Sequence, residues 1–287
     1  MDDLLHHLHK LAVFTFLISS MGAIGLALTP RAITTPLRDA RFVLLALGLN
    51  FLLAPAFAWL LTVLIPLDRA QVAGLLLLGG AAGAPFLPKL VQTARGDLAP
   101  TASLMILLTA GTILFLPFAL PLMIPGLNAD PWSIARPLLM LIIAPLAVGM
   151  LIKSRAETFA ARAAPLISKL GNASLLLLLI LLVALNARAL RAVIGSGSIL
   201  ATLLFFTALF VFGWLLGGSH RRVLSLATAA RNFGAALAPA ANCFEDPGVT
   251  VMVIVGAIVC LVITFIAAIW VRRKGDLDSA SDAAPRP

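Results

Sequence analysis

Apolar residues run in blocks of about twenty along this chain, each closed by a short turn carrying Arg, Lys, Asp, Gly or Pro. A block of that length crosses a hydrocarbon layer about 30 Å thick as a helix. The blocks are continuous rather than alternating, which predicts helices and not the strands of a barrel. Nine spans follow, near residues 8–29, 42–65, 70–94, 98–124, 133–152, 166–186, 193–218, 222–243 and 248–271. Residues 1–7 read as a polar tail and 274–287, rich in Ser, Asp, Ala and Pro, as a disordered one. Two spans are interrupted. The third contains GAAGAPFLPKLVQTARGD, with Pro85 and Pro88 in an apolar run, and the eighth contains RNFGAALAP, with Gly234 and Pro239. Proline lacks the backbone N–H and clashes with the preceding turn, so both helices are expected to break there. Broken backbone at membrane depth is tolerated where it is buried or lines a watery cavity. The interrupted spans lie five apart, so the second half of the chain is inverted relative to the first. Inverted repeats with paired broken helices are the pattern of a secondary transporter's binding site.

Composition sharpens this picture. The chain of 287 residues is 61% hydrophobic and 11% charged, with a mean hydropathy of +1.06. Soluble domains carry about a quarter charged residues. The net charge of +9 does not point to nucleic acid, because the cations are scattered through short loops. Their distribution sets an orientation instead. One side receives Arg31, Arg38, Arg41, Arg95, Lys153, Arg155, Arg162, Lys169, Arg221, Arg222, Arg272, Arg273 and Lys274; the other receives Lys10, Arg69, Arg136, Arg188 and Arg191. The bias places the N-terminus outside and the C-terminus in the cytoplasm of a multi-pass inner-membrane protein. Trp59, Trp132, Trp214 and Trp270 fall near span ends, as interfacial anchors do. Cys243 and Cys260 have no metal or redox spacing, and His6, His7 and His9 read as part of a solvated tail. The N-terminus has no small-residue cleavage site, so no removable signal is expected.

Apart from Arg286 in the tail, two cations are left over from the loops: Lys89 and Arg231, one in each interrupted span. Lys89 can reach the surface by snorkelling, since Arg95 marks the membrane exit close by. Arg231 lies ten residues from Arg221, about 15 Å along a helix, and so near the bilayer centre. Ionisable groups at that depth face the interior and serve a site; a structural tie to neighbouring carbonyls is the other reading. Asn50 and Asn232 are either ligands or caps of broken backbone. Glu245 and Asp246 read as a solvated Asp-Pro-Gly turn rather than a cation vestibule. Asn128, Asn172 and Asn186 read as loop or span-end polarity.

These residues carry a family resemblance. The stretch GLALTPRAITTPLRDARFVLLALGLNFLLAPAFAWLL, from Gly25 to Leu61, resembles the second and third helices of the bile acid:sodium symporter family. GGAAGAPFLPKLVQTARGD is similar to that family's first crossover helix, and RRVLSLATAARNFGAALAPA to its second. The resemblance covers nearly the whole chain, with the nine-helix layout, and identifies a divergent bacterial-type member. It implies an all-α polytopic membrane protein built as an inverted repeat with two broken crossover helices. Spans 1, 5 and 6 would form a panel, and spans 2, 3, 4, 7, 8 and 9 a core. Sodium ions and an organic anion would bind where the crossover helices meet.

The departures from the family pattern bear on mechanism. The second crossover's Glu falls at Ala227 and its Gln at Arg231, while its Asn is kept as Asn232. The amide of the preceding core helix is Asn50, and the first crossover's Ser-Asn pair falls at about Leu87 and Pro88, beside Lys89. Thr109 and Thr112 keep hydroxyls nearby. The expectation is that Arg231 and Lys89 stand in for sodium as fixed charges, giving a sodium-independent carrier of an organic carboxylate. The alternative is a conventional sodium:organic anion symporter with sodium near Asn50 and Asn232. A channel would need a continuous polar stripe, and an enzyme a cluster of nucleophile, base or metal ligands within the spans; the sequence has neither. No P-loop, cofactor, nucleic acid or protein partner is expected, only the bilayer and the anion.

Overall fold

The computed structural model describes residues 2–27, 36–124, 130, 132, 135–136, 139–185 and 195–283. Arg31, Asn128, Asn186, Arg188, Arg191 and Arg286, and the starts of the fifth and seventh predicted spans, lie outside the described residues. Within them the chain forms helices only: α1 (Asp2–Ala27), α2 (Ala40–Leu64), α3 (Arg69–Gly80), α4 (Leu87–Thr93), α5 (Leu98–Met123), α6 (Ala144–Arg155), α7 (Glu157–Leu185), α8 (Ser198–Leu216), α9 (Arg221–Ala229), α10 (Phe233–Asn242) and α11 (Pro247–Ala283). Ala40–Leu64, Pro100–Met123, Ser198–Leu216 and Pro247–Asp276 are each long and apolar enough to cross a membrane, and α1 adds the apolar stretch Leu11–Ala27. The protein is an all-α polytopic membrane protein.

Several helices run past the ends the hydropathy pattern suggests. α1 begins at Asp2, within the polar N-terminal stretch, and α7 begins at Glu157, beside the pair Lys153 Nζ–Glu157 Oε1 at 3.0 Å. α11 continues to Ala283, through most of the segment read as a tail. Once packing has nucleated a helix, each further residue adds a backbone hydrogen bond, so the helices run on into polar residues of modest propensity.

Proline is absorbed in two ways. In α2, Pro55 cannot donate to the preceding turn, and the helix widens into a π turn over Leu49–Leu53, with the Ala54 N–H reaching the Leu49 carbonyl. Asn50 sits in that turn and is fully buried. Pro145 follows the same arrangement in α6, after a π turn over Leu139–Ile143.

The helices pack as two groups. α1, α6 and α7 pack on one another, while the remaining helices pack among themselves around α3, α5 and α11. Within the first group α1 and α6 meet backbone to backbone: a Cβ on Gly25 would lie 2.2 Å from the Leu146 carbonyl oxygen, and one on Gly149 2.6 Å from that of Gly22. Small residues permit this approach where no hydrophobic effect drives association. Side chains link the turns at one end, which carries Arg38, Arg95, Arg221, Arg222 and Lys274. There His220 meets Asp39 at 3.5 Å and Arg95 meets Asp276 at 3.0 Å.

Candidate functional site

α3 stops at Gly80 and α9 at Ala229, and the next residue of each is non-helical: Ala81 has ψ 81° and Ala230 ψ 123°. Each stop leaves last-turn carbonyls without helical partners. α4 and α10 resume a few residues later, and the halves cross: α9 packs on α4, and α10 on α3. The two breaks therefore meet inside the protein.

Polar groups stitch them together. Asn232 donates its backbone N–H to the Ala81 carbonyl at 2.9 Å and its Nδ2 to that of Gly83 at 3.2 Å. Its Oδ1 accepts from the Ala235 N–H at 3.1 Å, capping α10. From α5, Thr109 Oγ1 donates to the Gly83 carbonyl at 3.1 Å and Thr112 Oγ1 to that of Ala82 at 3.0 Å. Gly83 has φ +80°, and a Cβ there would lie 2.4 Å from the Thr109 nitrogen, so only glycine lets the first break lie on α5. Asn232, Thr109 and Thr112 thus come together as neighbours of one crossing.

Arg231 occupies the second break and has no exposed surface. Its Nη2 donates to the Thr228 carbonyl at 2.7 Å and its Nη1 to that of Gly79 at 3.4 Å. The first carbonyl belongs to the last turn of α9 and the second to the last turn of α3. One guanidinium therefore spans two helix C-termini, where partial negative charge gathers. The Phe205 ring of α8 faces it at 5.8 Å, a cation–π contact. Its Nε, the Thr228 hydroxyl and the Asn50 Oδ1 are buried without a hydrogen-bond partner among the described residues.

Lys89 is not part of this cluster. It lies on α4, exposed, at the wall of a 450 Å³ cavity between α1, α4 and α7. Ser20, Gln92, Ser168 and Asn172 supply further polar groups to that wall, and Ile24, Phe86, Pro88 and Pro165 its apolar part. The cavity approaches the crossing through Phe86, whose ring stacks on Phe233 at 5.4 Å, one residue beyond Asn232.

The prolines act differently at the two breaks. Pro85 lies in the first break and Pro88 in the opening turn of α4. Gly234 and Pro239, expected to interrupt the eighth span, both lie within α10; the interruption comes earlier, at Ala230–Asn232. The Asn232 cap and the bonds to α3 set it, and Pro239 is accommodated inside the helix. Gly234 instead makes room for α1, since a Cβ there would lie 2.4 Å from Leu17 Cδ2.

A hard cation requires several oxygens turned toward it. Here the carbonyls of Gly79, Ala82, Gly83 and Thr228 each accept from a side chain, and no carboxylate is bonded to them. A unit charge about 4 Å from the guanidinium would meet about 4 kcal/mol of repulsion at an effective dielectric of 20. The crossing as built does not fit sodium beside a charged Arg231. Asn50 lies apart from these bonds, its Nδ2 donating to the Ala46 carbonyl at 2.9 Å. Among the described residues, no group of three His, Cys, Asp or Glu is placed to hold a metal.

Sequence reasoning missed three contributors. Thr228 supplies a carbonyl; Phe205 supplies a ring; Cys260, read as filler, points its thiol at the Ala229 carbonyl at 3.5 Å. Thr228 alone had a local signal, three residues before Arg231 and so on the same helix face. Among known proteins, no curated relative matches the chain. A family model, that of the sodium bile acid symporter family, matches residues 14–193, which takes in the first broken helix and stops short of the second. The match extends over well more than half of the chain and agrees with a membrane-embedded helical bundle, so the protein belongs to the sodium bile acid symporter family, whose members are sodium-coupled or related transporters of organic anions.

Proposed function

We propose that this chain carries a small organic carboxylate across the inner membrane by alternating access, with Arg231 as a fixed cation in place of bound sodium. The observation that supports this reading is the Arg231 fork, which lays one permanent charge across the C-terminal carbonyls of both α3 and α9. α1, α6 and α7 act as the panel and the other helices as the core. The end bearing Arg95, Arg221 and Lys274 faces the cytoplasm, so the cavity beside Lys89 is the inward-open cleft. Lys89 draws the anion in, Asn172 and Ser168 orient it, and its apolar body rests on Ile24 and Phe86. Because the crossing charge is covalently fixed, the cycle needs no ion, and transport is uniport or exchange.

The test is the melting temperature of purified protein. Sodium is titrated against potassium and choline at constant ionic strength, and carboxylates of graded size are added separately. A ligand at a hundred times its Kd stabilises the folded state by about 2.7 kcal/mol. Stabilisation by carboxylates without a sodium-specific effect is expected; a saturable rise with sodium alone overturns the proposal. In the double variant Ala227→Glu, Arg231→Gln the sodium response should return. A conventional sodium symporter is the second reading, favoured by Asn50 Oδ1 and Thr228 Oγ1, two buried acceptors without donors. The same titration separates the two.

A further inference from the structure

We infer that the seam between α8 and α11, at the end bearing Arg95 and Lys274, binds an anionic phospholipid. The seam is built in layers. Trp214 of α8 and Trp270 of α11 meet edge to face at 4.9 Å, with Phe210 against both, 6.2 Å from Trp214 and 5.9 Å from Trp270. Lys274 Nζ stands 5.4 Å from the Trp214 ring and 5.2 Å from that of Trp270. From α9, the Arg221 guanidinium lies 4.9 Å from the same Trp214 ring. Two cations thus flank one indole at the level where an indole belongs in a bilayer, the headgroup boundary.

The pattern along α11 repeats this order. Ile266, Trp270 and Lys274 are spaced by four and share one face, running from apolar through aromatic to cationic. Ile266 is 61% exposed and Trp270 44%. A lipid lying in the seam finds acyl contact and phosphate contact in the sequence its own structure requires.

Among the described residues, Asp276 is already committed to other cations. Asp276 pairs with Arg95 at 3.0 Å and with Arg272 at 4.0 Å. Arg221, Arg222 and Lys274 have no acidic partner among the described residues. Arg222 adds to the cluster by lying on α11: a Cβ on Gly275 would be 2.9 Å from its Nη1 and Nη2, so glycine makes that approach possible. A phosphodiester supplies the charge these three groups lack, and basic pockets between membrane helices bind such headgroups. It would also tie α9, the helix that ends two residues before Arg231, to α11.

The experiment is lipid titration of the full chain in detergent, read by native mass spectrometry and by melting temperature. Phosphatidylglycerol is compared with phosphatidylcholine of identical chains, and with inorganic phosphate alone. Phosphatidylglycerol should bind more tightly by about tenfold or more. The double variant Lys274→Gln, Arg221→Gln should lose most of that preference, since two surface cations at about 1 kcal/mol each account for up to about thirtyfold. A control, Arg162→Gln with Lys169→Gln, removes the same charge elsewhere and should keep it. Equal loss in both variants would mean diffuse surface charge and overturn the site, as would stabilisation by inorganic phosphate equal to that by the lipid. Should the double variant not fold, Lys274→Gln alone is read against Lys169→Gln, with the same two outcomes.

Discussion

At the scale of single residues, Arg231 sets two large terms against each other. Burying a cation without a counter-ion costs several kcal/mol. Against this stand two charge-assisted hydrogen bonds, worth about 1.5–3 kcal/mol each, and two helix C-termini. The terms nearly cancel, so the residue's importance lies in its charge rather than in stability. Arg231→Met, which keeps the length and loses the charge, should change unfolding free energy by less than about 2 kcal/mol while lowering transport at least about tenfold. Denaturant unfolding and vesicle uptake measure the two. A large stability loss would instead make Arg231 a structural tie. The residue's burial was legible in the sequence, from its distance to Arg221. Its partners were not, because they are backbone carbonyls, one of them 152 positions away, and carbonyls leave no mark on composition.

At the scale of elements, the breaks depend on caps more than on prolines. Asn232 both caps α10 and bonds the Gly83 carbonyl of the other break. Asn232→Ala removes a cap worth about 1 kcal/mol and a buried hydrogen bond of similar size, so a loss of about 2 kcal/mol is expected in equilibrium unfolding. Asn232→Asp should keep the cap and lose the bond to Gly83, and so fall between. α2 begins on another cap, Asp39, which accepts from the Phe42 N–H at 3.1 Å. That backbone bond holds the Asp39 carboxyl below its ordinary range, helped by the Arg41 N–H and by His220, against a smaller opposing effect of burial. The unfolded chain therefore takes up this proton first. The cap's contribution is complete above the unfolded carboxylate range, about pH 4, and is lost as pH falls through the folded value. Acid titration of the melting temperature should show a steeper fall in native protein than in Asp39→Ser, which caps without titrating.

At the scale of the whole molecule, Lys89 and Arg231 stand in two separate places. One charge is sealed in the crossing, and the other stands open at the cleft between the two helix groups. Lys89→Gln should leave kcat for uptake nearly unchanged and raise KM about fivefold, as expected for about 1 kcal/mol of solvent-screened attraction. That effect should shrink with added salt. A kcat loss without change in KM would place Lys89 in the crossing after all. The π turns of α2 and α6 belong to this scale as well. They let helices containing Pro55 and Pro145 continue through the bundle, and one of them turns Asn50 inward.

The sequence alone determined the helical class and the two interrupted segments with a cation in each. These follow from local quantities: run length against bilayer thickness, and the exclusion of charge from hydrocarbon. Tertiary structure alone decided where the second helix breaks, what Arg231 holds and which way Lys89 faces. Pro239 carries the same local signal as Pro85, yet the chain breaks at Asn232, because the ends of α3 and α9 need donors that only the crossing supplies. Lys89 and Arg231 look equivalent as charges in apolar runs. They part because α4 has one side against the cavity, whereas the second break is enclosed by α3, α5 and α8, and that enclosure exists only once the two halves have packed.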